Sequence, residues 1–170
     1  LTLNYEFIGK SDEEIANLAD NNAKELSLEE LLYAATLAKD AAKKEAIYTK
    51  AAQLFPNDYR AFNNLGKLAY EAGDMDKAEN LLKKALTIKE NPEANMNLGL
   101  VALAKGKAAE AESYLGKAAG TAGDINAAMG TLYTMKGDYA AAKNAYGNKA
   151  SNNAAVQQIL NEDYAAARQT

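Results

Sequence analysis

The side chains of this chain that could act as acids, bases or metal ligands are carboxylates, lysines and tyrosines. Its 170 residues include neither histidine nor cysteine, which removes the commonest general base, the Ser–His and Cys–His nucleophile pairs and the usual zinc ligands. Two carboxylate pairs, Glu13–Glu14 and Glu29–Glu30, each closely follow a serine. Serine with glutamate three residues on is a capping box, and acidic side chains are stabilised in a first helical turn. We therefore interpret both pairs as helix starts and predict no catalytic residues and no enzyme.

A further acidic cluster, Asp74, Asp76 and Glu79, begins like a calcium-binding loop. The position at which such a loop needs its closing glutamate holds Ala85 or Leu86. The chain also contains no glycine-rich phosphate loop followed by lysine. We therefore predict no metal ion and no cofactor, with Asp74 capping a helix and its acidic neighbours facing solvent.

The elements that would position any other site are helix pairs, seen best in residues 62–86. Apolar or small residues recur there at helical spacing in both halves. Between the halves lie Gly73, which can adopt the left-handed conformation that ends a helix, and Asp74, which can cap the next. Related stretches begin at Asn95 and Asn126, 33 and then 31 residues further on. A period in this range predicts a solenoid of helix pairs.

The repeated residues resemble those of the tetratricopeptide repeat. Its Leu-Gly step is matched by Leu65-Gly66, Leu98-Gly99 and Met129-Gly130, its inter-helix glycine by Gly73, Gly106 and Gly137, and its second-helix small residue by Ala78, Ala111 and Ala142. Phe62 matches the aromatic residue that opens the motif, whereas Asn95 and Asn126 depart from it. The resemblance implies an all-α fold: a right-handed superhelix of antiparallel helix pairs with about 10–11 helices. Gly66, Gly99 and Gly130 should lie where two helices approach closely.

Composition limits the partners that such a domain could have. Hydrophobic residues make up 48% of the chain and there are only two prolines, as expected of one helical domain with a sizeable core. The net charge is −4, with acidic and basic residues interspersed, which argues against nucleic acid as a partner. The apolar runs are far too short for membrane insertion. A protein or peptide partner therefore remains the favoured class.

The two ends of the sequence carry separate expectations. Residues 1–10 are predicted to form an extended linker or the remnant of a preceding domain, although apolar alternation over residues 1–7 is also a weak strand signal. Residues 11–170 are predicted to form the helical repeat domain. The last predicted helix, from Asp163, stops at Thr170 and is shorter than its counterparts, so we expect the native chain to continue. An apolar end face left open there would allow end-to-end self-association.

The resemblance also assigns a candidate binding groove, because the first helix of each tetratricopeptide pair lines the concave face. The residues carried over are Arg60, Asn63, Asn64, Lys67, Tyr70, Met96, Asn97, Leu100 and Thr131, with Glu93, Leu103, Asp124, Ala127 and Thr134 at further matching positions. Asn64 and Asn97 match a position whose amide often holds a ligand backbone, and asparagine both donates and accepts hydrogen bonds. The alternative, in which these amides bind only local backbone or water, stays open. Some members of the family bind the C-terminal carboxylate of a peptide with lysine or arginine residues on the first and third repeats. The sequence does not have that arrangement of cations, so we do not expect such a carboxylate clamp.

A narrower resemblance concerns the segments YTKAAQLFPNDYRAFNNLG, ANMNLGLVALAKG and SNNAAVQQILNEDYAAARQT. They are similar to the repeat segment of large bacterial envelope proteins that carry an OmpA-like peptidoglycan-binding domain. The resemblance implies a non-catalytic interaction scaffold, periplasmic and associated with the outer membrane, that holds a peptide or protein in its groove. The alternative is a purely structural spacer between flanking domains, which a groove plugged by the N-terminal segment would favour.

Overall fold

Short polar side chains set where most of the helices begin. In this computed structural model, which describes residues 9–118 and 125–147, the side chains of Ser11, Asp40 and Asp138 each accept a hydrogen bond from the backbone three residues on. Ser27 and Glu30 form a complete capping box, with each side chain bonded to the other's backbone N–H. Such caps satisfy N–H groups that have no partner within the helix. The caps predicted at Ser27 and Asp74 are confirmed.

The described residues form nine α-helices and one short 3₁₀ helix, without a strand. The α-helices are α1 (Asp12–Asn21), α2 (Leu28–Leu37), α3 (Ala41–Leu54), α4 (Arg60–Glu71), α5 (Met75–Ile88), α6 (Pro92–Ala104), α7 (Ala108–Lys117), α8 (Ile125–Met135) and α9 (Tyr139–Tyr146), and the 3₁₀ helix is Ala23–Glu25. The all-helical solenoid expected from the repeats is therefore confirmed. The possible strand in residues 1–7 and the predicted last helix pair lie outside the described residues.

Consecutive helices pack as pairs, and the pairs stack along the chain. The pairs are α2 with α3, α4 with α5, α6 with α7 and α8 with α9. The first helices α4, α6 and α8 each also pack on the preceding pair, and α2 packs on α1. Gly73, Gly106 and Gly137 make the turns within the last three pairs with positive φ angles of 82°, 74° and 76°. That conformation strains any residue with a Cβ atom. The solenoid is therefore regular from α4 to α9.

The Leu-Gly step places glycine where the two helices of a pair meet. A Cβ atom on Gly66 would lie 2.5 Å from Leu82 Cγ, and one on Gly99 would lie 2.6 Å from Leu115 Cδ2. At Gly130 the neighbour is the ring of Tyr146, also at 2.5 Å. The predicted close approaches are confirmed. They fix the rotation of α4, α6 and α8 about their axes, and so they decide which side chains remain for a surface.

Candidate binding groove

The glycine contacts define a face of each first helix that points away from its partner helix. A residue two positions before the glycine is turned by about 200° from it, because an α-helix has 3.6 residues per turn. Asn64 on α4 and Asn97 on α6 hold this position relative to Gly66 and Gly99. We call the surface around them on α2, α4, α6 and α8 the groove face.

Asn64 and Asn97 are the half-buried amides of the described chain that have no hydrogen-bond partner. Every other described asparagine or glutamine residue is either exposed or buried. The buried asparagines, Asn63, Asn91 and Asn95, all take part in hydrogen bonds. Neither Asn64 nor Asn97 makes a side-chain bond within residues 9–118 and 125–147, so both amides keep their donors and acceptor for water or a ligand.

Three more predicted residues lie on α4 and α6, and one of them, Tyr70, is four residues after Gly66 and so points closer to the glycine side than to the amides. Lys67 is exposed and pairs with Glu71, whose carboxylate lies 4.0 Å away with both side chains more than half exposed. Such a pair is weak, so the ammonium group is available. Tyr70 is half-buried against the cluster that contains Leu98, and Leu100 is half-buried against the cluster of α6, α7 and α8. Each therefore offers part of an apolar surface.

Two predicted groove residues are buried between repeats, and their assignment to the surface is corrected. Asn63 and Met96 are each 8% exposed and hold equivalent positions, three residues before the glycine. That position turns the side chain toward the next first helix. Asn63 donates from Nδ2 to Oδ1 of Asn91 at the start of α6, 2.8 Å away. Met96 belongs to the apolar cluster shared by α6, α7 and α8.

Two others are already engaged within the chain. The Arg60 guanidinium donates to Asp58 at 3.0 and 3.1 Å and to Glu29 of α2 at 3.0 Å. These charge-assisted bonds lower the pKa of Asp58 and raise that of Arg60, so the guanidinium is not free to hold a ligand carboxylate. Thr131 donates to the Ala127 carbonyl and lies 3.0 Å from the hydroxyl of Tyr146. Its hydroxyl is therefore committed to holding α8 against α9.

The structure adds one residue that the sequence did not reveal. In α2 the buried series Leu31, Ala34 and Ala35 has the spacing of Phe62, Leu65 and Gly66 in α4, so Tyr33 corresponds to Asn64. Its ring is exposed, and its hydroxyl donates to Asp12 at 2.9 Å, which raises the pKa of Tyr33. The Leu-Gly step is replaced by Ala34-Ala35, so no sequence signal marked this helix as part of the groove face.

Away from the groove face, ion pairs link successive repeats. Lys105, at the end of α6, bonds to Asp76 and Glu79 of α5, and Glu79 also pairs with Lys83. The hydrogen bonds from Lys105 and Lys83 lower the pKa of Glu79 to about 2. Lys136, after α8, pairs with Glu112 of α7 at 2.9 Å. In the acidic cluster, Asp74 therefore caps α5, while Asp76 and Glu79 form ion pairs with Lys105.

Sites of other kinds are not seen in the part of the chain that the structure describes. Within residues 9–118 and 125–147, no three His, Cys, Asp or Glu side chains come together in a way that could hold a metal ion. None of the described helices is both long enough and apolar enough to cross a membrane.

The repeats can now be compared with known proteins. Two tetratricopeptide-repeat family models match the sequence, one over residues 34–99 and the other over residues 92–125. Together they span more than half of the chain and cover α4 to α7, which include the contacts of Gly66 with Leu82 and of Gly99 with Leu115.

This chain carries tetratricopeptide repeats.

Solved tetratricopeptide structures share the fold at low sequence identity. Two crystal structures of MamA superpose with TM-scores of 0.63 and identities of 18% and 17%; each alignment covers 90% of this chain and 90% or 86% of the other. YrrB, described as a TPR protein with an unusual peptide-binding site, superposes with a TM-score of 0.61 at 18% identity, covering 89% of this chain and 86% of its own. A comparison with curated proteins found no sequence match. These similarities establish the fold.

Proposed function

We propose that this chain is a non-catalytic scaffold that binds a peptide or an extended protein segment on the groove face. The observation that carries the proposal is the pair of half-buried, unpartnered amides at Asn64 and Asn97. Partly desolvated polar groups favour a partner, and an amide can pair with both the C=O and the N–H of a peptide backbone. The similarly folded YrrB has a peptide-binding site, which supports this kind of function.

The spacing of the two amides suits an extended chain. They occupy the same position on α4 and α6, and neighbouring packed helices lie about 8–10 Å apart. An extended peptide advances about 3.3 Å per residue, so backbone groups about three residues apart would reach the two amides. Lys67 and Leu100, one turn further along the same helices, would then contact the peptide side chains. Tyr33 would continue the row on α2.

The test compares two double variants. A random library of capped decapeptides is selected on the wild-type protein, and the affinity of a selected peptide is measured by calorimetry. Asn64→Ala with Asn97→Ala should weaken binding roughly 10-fold, as expected for two lost hydrogen bonds. Asn80→Ala with Asn144→Ala, which removes two exposed amides from α5 and α9, should leave binding unchanged. Equal affinities in both variants would refute the assignment, and failure of any peptide to bind would favour the structural spacer.

We further propose that the repeats are a module of a larger bacterial envelope protein with an OmpA-like domain, in the periplasm at the outer membrane. The support is the resemblance of residues 48–66 and of the two later segments to such proteins. The experiment is protease treatment of intact cells and of spheroplasts that produce the full-length protein. Cleavage in spheroplasts but not in intact cells is the expected result. Recovery of the protein with the cytosolic fraction would overturn the proposal.

A further inference from the structure

A network of buried amides joins the first helices of two repeats. Asn63 of α4 donates from Nδ2 to Oδ1 of Asn91, the N-cap of α6, at 2.8 Å. Asn95, one turn into α6, donates from Nδ2 to the Asn91 carbonyl at 3.1 Å and to the Glu90 carboxylate at 2.6 Å. The side chains of Asn63 and Asn95 therefore converge on Asn91. We call this network the polar seam.

The polar seam contains two buried acceptors that lack a donor. Oδ1 of Asn63 and Oδ1 of Asn95 are inaccessible to solvent and accept no hydrogen bond, and the residues are only 8% and 1% exposed. Rotating either amide to exchange its oxygen and nitrogen would set oxygen against oxygen, at Asn91 Oδ1 or at Glu90. Burying an acceptor without a donor costs about 1–3 kcal/mol. The equivalent of Asn95 is Leu31 in α2 and Phe62 in α4, so the repeat itself does not require a polar residue here.

The surroundings of the polar seam are acidic. Glu90 touches Asn95 directly, and Glu93 is exposed on the first turn of α6 without an ion-pair partner in the described chain. On the α4 side, Asp58 and Glu29 share the single guanidinium of Arg60. The ammonium group of Lys89, next to Glu90 in the chain, lies 5.6 Å from the ring centre of Tyr59. Glu90 and Glu93 form no ion pair within residues 9–118 and 125–147, whereas Asp58 and Glu29 share one cation.

We propose that the polar seam receives a lysine or arginine side chain of the peptide bound on the groove face. Such a side chain has several N–H donors and no acceptor, and it reaches the exposed Glu90 carboxylate without entering the interior, where Asn63 Oδ1 is closed to solvent. Its positive charge complements the excess of carboxylates around Glu90 and Glu93. The arriving cation takes over the Glu90 carboxylate from Asn95, and the freed Asn95 amide then turns its oxygen toward the ligand. The inference rests on the proposed function, since Asn64, adjacent to Asn63, holds the same peptide.

The experiment uses a positional-scanning library of capped decapeptides in which one position is fixed as Arg, Lys, Ala or Glu. Binding of each pool to the whole chain is measured at low and at high salt. At one fixed position, the Arg and Lys pools should bind at least roughly 10-fold more tightly than the Ala pool, with the Glu pool weakest. Because the complementary charges are near the surface, the preference should shrink as salt rises.

Two variants locate the preference. Asn63→Leu with Asn95→Leu fills the polar seam with apolar side chains and should remove most of the preference for Arg and Lys, leaving only the part that the Glu90 and Glu93 charges supply. Its matched control, Asn80→Leu with Asn144→Leu, should retain the preference. Glu90→Gln with Glu93→Gln leaves the buried amides in place and should reduce the preference several-fold at low salt, so the inference can be tested even if the leucine variant does not fold.

The outcomes separate this inference from the proposed function. If pools bind without an Arg or Lys preference, or if the preference survives in both seam variants, the inference is overturned and the two oxygens hold only buried water. Binding that is lost in the Asn64 and Asn97 variant but shows no basic preference leaves the proposed function standing alone. If no pool binds at all, both are refuted.

Discussion

The two junctions between the last three repeats use the same backbone geometry with opposite chemistry. Asn63 of α4 and Met96 of α6 hold equivalent positions, and each turns toward the next first helix. At the first junction Asn63 meets Asn91 in the polar seam, whereas at the second Met96 lies in an apolar cluster with Ala128 and Leu132. The repeat therefore fixes where a side chain lies. The residue at that position decides whether the junction is an apolar contact between helices or a polar network that could also bind a ligand.

The other ends of the same junctions differ in a parallel way. Lys105 joins two carboxylates of α5, and the Lys105 and Glu79 side chains are 24% and 16% exposed. Among the described residues, Lys136 pairs with Glu112 alone, and the two side chains are 41% and 54% exposed. Exposed single pairs contribute little to stability, and networks contribute more. The first junction is thus the more polar one at both ends, and the second is held mainly by apolar packing.

The largest expected effect is at the apolar junction. Met96→Ala removes a buried side chain from the cluster of α6, α7 and α8 and should cost about 2–4 kcal/mol of unfolding free energy. Asn97→Ala, on the same helix but half-buried and without a partner, should change it by less than about 0.5 kcal/mol. Urea denaturation of both variants provides the measurement. If both variants lost similar unfolding free energy, packing of Met96 would not be a main source of stability at this junction.

The next effect is at the polar seam. Asn91→Ala removes both the cap on the Ala94 N–H and the acceptor of Asn63, and should cost about 2 kcal/mol. Ser27→Ala removes a cap without burying a donor and should cost about 1 kcal/mol. Thermal denaturation followed by circular dichroism would compare them. Equal losses would show that the Asn63–Asn91 bond adds nothing to the stability of the junction.

Much of the fold was predictable because its signals are local. The positive φ of Gly73 and the capping box of Ser27 depend only on neighbours in sequence, and both were predicted. The close contact of Gly99 with Leu115 followed from the Leu-Gly step of the repeat. The site was harder to predict because a surface position on one helix is covered or not by another. Asn63 was assigned to the groove, but its burial depends on Asn91, 28 residues away.

The remaining residues of the site show the same limit. Arg60 carries a positive charge that could bind a ligand carboxylate, but its guanidinium already forms an ion pair with Glu29 on α2. The Thr131 hydroxyl is engaged by the Ala127 carbonyl and by Tyr146, the aromatic residue opposite Gly130. Tyr33 was missed for a different reason. Helix α2 lacks the glycine of the Leu-Gly step from which the groove positions are counted. Pairings between helices, which composition and period do not encode, decide the cases of Arg60 and Thr131.

A smaller effect, of opposite sign, tests why the two junctions differ. Asn95→Leu removes a buried acceptor without a donor and restores the apolar residue found at Leu31 and Phe62. It should raise the unfolding free energy by about 1 kcal/mol. The readout is the denaturation midpoint relative to wild type. A lower midpoint would show that Asn95 stabilises the polar seam through its bonds to Glu90 and Asn91. The polar junction would then carry no stability cost relative to the apolar one.

The smallest effect concerns acid sensitivity at the ion pairs. The pKa of Glu79 is lowered from 4.5 to about 2, so the stability it contributes is complete above its unfolded pKa and is lost as the pH falls from about 4.5 toward 2. At neutral pH, the unfolding free energy of wild type should exceed that of Glu79→Gln by about 0.5–1 kcal/mol, after allowance for solvent screening. The difference should vanish near pH 2. A constant difference across this range would contradict the assignment. As a control, Glu112→Gln should stay within about 0.5 kcal/mol of wild type at neutral pH.

The most direct measurement of the central claim is an NMR titration that observes the asparagine side-chain amides. The protein, labelled with ¹⁵N, is titrated with a decapeptide selected from the random library, and its amide signals are assigned by single substitutions. If the peptide lies on the groove face, the side-chain signals of Asn64 and Asn97 should shift together with one dissociation constant, while those of Asn80 and Asn144 on α5 and α9 stay in place. Shifts confined to Asn80 and Asn144, with Asn64 and Asn97 unmoved, would place the peptide on the second helices and contradict the account.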